Sequence, residues 1–130
     1  LHAYNYRKVN PCSEEPASSN PEINISTAFI EPAWRPVVDI LLQSMSQHRL
    51  KAHRPDIREN VKFNGGEFSQ WINRCFSDFG CALSIAFKKT FMDEWTGRAD
   101  IYHLNEIKTA LQNAMPALID YHRESVLSAK

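Results

Sequence analysis

The chain has no charge of either sign to spare: fifteen Lys and Arg oppose fifteen Asp and Glu, so the formal net charge is zero. Without an overall field, long-range attraction to nucleic acid, acidic lipid or acidic substrates is excluded, and any electrostatic role falls to a local patch. Cysteine is scarce. Cys12, Cys75 and Cys81 form an odd set with no Cys-x-x-Cys pair, which leaves out a disulfide scaffold and the common zinc and redox spacings. A reducing, intracellular setting is the simpler expectation. No apolar run reaches the roughly eighteen residues of a membrane span, and the first residues lack the basic-then-apolar order of a signal peptide. Neither a Gly-x-x-x-x-Gly-Lys phosphate loop nor a Gly-x-Ser-x-Gly elbow is present, and no cofactor is implied. The first residue is Leu1 rather than Met, which fits a processed form or a part of something larger.

What is there suits one domain. A chain of 130 residues buries roughly two-thirds of its unfolded surface and folds without staples. Residues 1–31 read as an extended or loop segment: "NPCSEEPASSNPE" (Asn10–Glu22) has three prolines and little to bury. The period-two segment Ala3–Val9 before it either adds a strand or lies loose. Asn24-Ile25-Ser26 fits a glycosylation acceptor, which matters only in an exported chain.

From residue 32 the pattern becomes helical. Pro32 and Pro36 suit a first turn, and Val37, Ile40, Leu41, Met45 and Leu50 form a stripe over the helix that follows. The strongest periodicity lies in Asn64–Gly80. Phe68, Trp71, Ile72, Cys75, Phe76 and Phe79 recur at i, i+3, i+4, i+7, i+8 and i+11, with Gly65-Gly66 breaking before them and Gly80 after. Cys75 sits mid-stripe, where a buried inert thiol is the default. Leu83, Ile85 and Phe87 alternate with Ser84, Ala86 and Lys88 as in a half-buried strand. A second strand over Arg98–Leu104 would complete a hairpin turning at Trp95–Arg98; a helix over 81–94 is the alternative. Asn105 is the expected cap of a last helix, Glu106–Lys130, kinked or divided at Pro116, with Ile107, Leu111, Ala114, Met115, Leu118 and His122 on one face. The expected fold is helix-rich α+β, with two amphipathic helices, a small hairpin and a kinked C-terminal helix around one core in residues 32–130; an all-α fold is the alternative.

Three surfaces carry potential chemistry. From His48 to Lys62, Arg49, Lys51, Arg54, Arg58 and Lys62 oppose only Asp56 and Glu59, a local charge of +3. Such a stretch either meets phosphates or forms an ordinary solvated link. Trp95 at a turn is a candidate anchor for a partner, against packing on Phe91 and Ile101. Cys75 with His103 or His122 is a candidate nucleophile and base, and His48, His53, Cys75 and Cys81 are the weak candidates for a metal. The missing catalytic spacings, neutral charge and spare aromatics favour a non-catalytic interaction domain that binds another protein. Nucleic-acid binding through the basic segment is the alternative, and a small Cys/His enzyme comes third; no membrane association is expected.

Overall fold

The computed structural model describes residues 1–6 and 16–128, so Cys12 lies outside the described residues. Seven elements follow in order: β1 (His2–Tyr4), β2 (Ile23–Ser26), α1 (Arg35–Gln47), β3 (Ile57–Glu59), α2 (Glu67–Cys75), β4 (Ser84–Lys88) and α3 (Ile101–Ser128). The fold is helix-rich α+β, as the sequence leads one to expect. The strands form one mixed sheet in the order β1-β4-β2-β3. β4 pairs parallel to β1 and antiparallel to β2, while β2 and β3 run parallel with α1 crossing between them.

Period two decides which side of the sheet meets which layer. Ile23 and Ile25 of β2 and Ile85 and Phe87 of β4 join Leu41 and Met45 of α1, Leu50, and Ile107, Ala110 and Ala114 of α3 in the main core. The intervening residues, Asn24, Ser26 and Ala86, face the other way and are equally buried, covered by Tyr4 and the chain around Phe63. The segment before residue 32 therefore supplies two strands, one of them central. The apolar content of Ile23-Asn24-Ile25 is too short and interrupted to stand out against its proline-rich surroundings.

Other boundaries also move. The chain enters α1 through a 3-10 turn at Pro32–Trp34, which places Pro36 in the first α-helical turn, where its missing N–H is no loss. The buried stripe of α1 is Val38, Leu41 and Met45, one residue on from the expected one at Val37. The turn at Trp95–Arg98 exists, with Asp93 N–H donating to the Arg98 carbonyl and a single antiparallel bridge between Met92 and Ala99. No second strand follows it, because Asp100 caps a helix first. Its side chain accepts the His103 N–H at 3.1 Å and its carbonyl accepts that of Leu104. α3 thus starts at Ile101, not after Asn105, and continues through Pro116 in one run.

Candidate functional site

α2 is where sequence and tertiary structure part. Its apolar stripe, the clearest in the chain, faces outward: on the helix Phe68 is 71% exposed and Trp71 46%, and in the turn after Cys75, where the helix ends short of Gly80, Phe76 is 45% and Phe79 68% exposed. Phe68 and Trp71 stack at 6.1 Å between centroids, and Phe76 meets Trp71 edge-on at 5.3 Å, so these three rings form one continuous patch. Cys75, expected to be buried, is exposed beside them. The side turned inward is centred on a polar residue, with Ser69 and Ile72 half-buried beside it. Asn73 is buried, and its carboxamide exchanges two hydrogen bonds with the Ala82 backbone. The loop after the helix is held by backbone carbonyls: Ser77 accepts the Trp34 indole N–H, and Phe79 is within 2.8 Å of the His122 ring. Trp34 in turn stacks on His122 at 5.8 Å. Hydrogen bonding thus docks this helix, leaving its hydrophobic face free.

The basic segment is spread among separate partners. Arg49 donates to the Ala52 carbonyl, and the Lys51 ammonium to the Thr90 carbonyl at 2.8 Å, with Asp100 at 3.7 Å. Arg58 is bound by Asp56 and by the Ser18 carbonyl. Lys62 donates to Asn20 and lies over the Tyr4 ring. Arg54 is exposed. Trp95 is 45% exposed on a turn fixed by Asp93, whose carboxylate accepts the N–H groups of Trp95 and Thr96.

Both histidines offered as bases for Cys75 have other partners. His122 is engaged with Phe79 and Trp34, and His103 is buried in a network the sequence did not announce. One His103 ring nitrogen lies 2.9 Å from the Thr90 hydroxyl and the other 3.1 Å from the Glu106 carboxylate. Hydroxyl, imidazole and carboxylate is an order used in nucleophilic catalysis, but here it fastens the chain. Glu106 also accepts the Lys51 N–H, which, with His103, holds its carboxyl below the usual range, and Asp100 is lowered mainly by the His103 N–H. Three segments, 50–53, 89–92 and the start of α3, are tied at this point. The spacing signal was present in Asp100-x-x-His103-x-x-Glu106, a capping pattern overshadowed by Asn105.

His53 pairs with Glu22 at 2.8 Å and His48 lies near Asn113, while burial pushes the Cys81 thiol up. Among the described residues no group of three or more His, Cys, Asp or Glu gathers to hold a metal. No helix among them is long and apolar enough to cross a membrane. Asn24, the glycosylation candidate, is fully buried with its Nδ2 donating to the Phe63 carbonyl, so it offers no acceptor in the folded chain. No protein-family model, curated protein or solved structure matches the chain.

Proposed function

We propose that this chain is a non-catalytic interaction module, an accessory part of a larger assembly, that binds another protein through the aromatic face of α2. The observation that carries this reading is the outward rotation of Phe68 and Trp71 on α2, joined by the Phe76 ring just past its end, with Phe79 exposed in the turn that follows. A contiguous exposed aromatic patch rimmed by polar residues is the usual mark of an interface. Fully burying one ring is worth about 2 kcal/mol, so the patch together offsets a large part of the roughly 4–15 kcal/mol that association costs. Trp95 is a second anchor of the same chemical type. Nucleic-acid binding through Arg49, Lys51, Arg54, Arg58 and Lys62 ranks below it, because four of those side chains are occupied by intramolecular partners.

A photoreactive benzoylphenylalanine placed at Trp71, with a control at exposed Gln43 on α1, tests the reading in native extract. Adducts to protein at position 71 and not at 43 are expected. Equal labelling at both positions, or none at 71, would overturn it.

A further inference from the structure

Resting on the reading of α2 as a docking face, we propose that its partner is a second copy of this chain, with the two α2 helices packed antiparallel about a twofold axis. Two features of the helix point there.

The first is charge placement. At 100° per residue, Phe68, Trp71 and Cys75 form the centre of the outward face, and Glu67 and Arg74 both fall on one flank of it. They stand seven residues apart, so one lies two turns beyond the other, about 10 Å along the axis. Both are exposed, and neither forms an ion pair with another described residue. In an antiparallel pair each flank meets the same flank of its neighbour, which sets Glu67 of one copy opposite Arg74 of the other, twice by symmetry. A parallel pair would instead set this flank against the other one, where Ser69, Ile72 and Phe76 stand. The charges therefore select an orientation as well as a partner.

The second is area. The three joined rings of Phe68, Trp71 and Phe76 carry roughly 150–250 Å² each and are 45–71% exposed. That leaves on the order of 300 Å² of aromatic surface per copy, so a pair removes about 600 Å² from water through the rings alone, and the exposed Cys75, Glu67 and Arg74 around them carry the contact toward the roughly 1,000 Å² of a specific interface. Neutral net charge adds no repulsion between copies.

Sedimentation over roughly 1–100 µM is the test, with Glu67→Arg, Arg74→Glu, the double swap, and Phe68→Ser with Trp71→Ser. A monomer–dimer equilibrium is expected, weakened about tenfold by either single reversal, restored by the double swap, and abolished by the aromatic pair with the circular dichroism spectrum unchanged. Cys75 alkylation should slow as protein concentration rises. A wild-type chain that stays monomeric overturns the homodimer; if the residue-71 crosslink then captures a different protein, the docking reading survives alone. A dimer that the double swap fails to restore overturns the antiparallel arrangement, and a dimer that outlives Phe68→Ser with Trp71→Ser places the interface elsewhere.

Discussion

Asn73 on α2 and Ala82 ahead of β4 hold each other by two hydrogen bonds, the carboxamide donating to the Ala82 carbonyl at 3.0 Å and accepting its N–H at 2.7 Å. This bracket determines which way α2 faces. With Asn73 truncated to Ala, a part-buried N–H and carbonyl of Ala82 lose their partners, and stability should fall by about 1–2 kcal/mol in urea titration. Asn73→Leu should do no better, since it offers shape without hydrogen bonds. A Leu variant as stable as the wild type would mean that apolar packing, not the bracket, docks the helix.

Asn24 plays the same part on the sheet. Its Oδ1 accepts the N–H groups of Val61 and Lys62 at 3.0 and 2.7 Å while Nδ2 reaches Phe63. Asn24→Ala should cost more than about 2 kcal/mol, and Asn24→Asp should also destabilise by removing the donor and burying a charge. Chain passed through a secretory pathway and recovered folded should carry no glycan at this position, as read by mass spectrometry.

Lys51 and Ala52 both take left-handed backbone conformations, φ 49° and 67°, in the tight turn between Leu50 and His53. Two-residue turns of this kind favour Asn and Gly. Ala52→Gly should therefore raise stability by roughly 0.5 kcal/mol despite the added freedom of the unfolded chain. A drop in melting temperature would refute the backbone assignment.

Two ion pairs make opposite pH predictions. The Arg35 guanidinium, bonded to both Glu59 oxygens at 2.8 and 2.7 Å, holds that carboxyl below the ordinary range, with help from Thr27. A group that binds its proton more weakly when folded contributes stability above its unfolded pKa and loses it as pH falls through the folded value. The His53 ring is raised chiefly by its hydrogen bond to Glu22. Its contribution is full below its unfolded pKa and lost as pH rises through the folded value. About half of the Arg35 and His53 side chains is exposed, so each effect should stay under about 1 kcal/mol. Melting temperatures across pH should show Glu59→Gln flattening the acid limb and His53→Gln the neutral one.

Much of the architecture was legible. The alternation of Ile85-Ala86-Phe87 announced β4, and the proline pair at 32 and 36 announced the start of α1. The start of the last helix was not, because Asp100 and Asn105 are both good caps, and only the tie of His103 and Glu106 to Thr90 and Lys51 chooses between them. β2 was hidden because its inner and outer faces are both buried, with Asn24 and Ser26 where a solvent-facing strand would show charge.

The sequence by itself determined that α2 is amphipathic, since period and residue type are local properties of the chain. It could not determine which side of that helix meets the core. A stripe of Phe and Trp ordinarily turns inward because burial in the chain's own core is the nearest way to leave water. Here the chain beneath the helix presents the backbone N–H and carbonyl of Ala82, and pairing both with the buried Asn73 side chain set the rotation. That contest is between residues on different elements, so only the tertiary structure could decide it, and its outcome is the exposed aromatic face on which the proposed function rests.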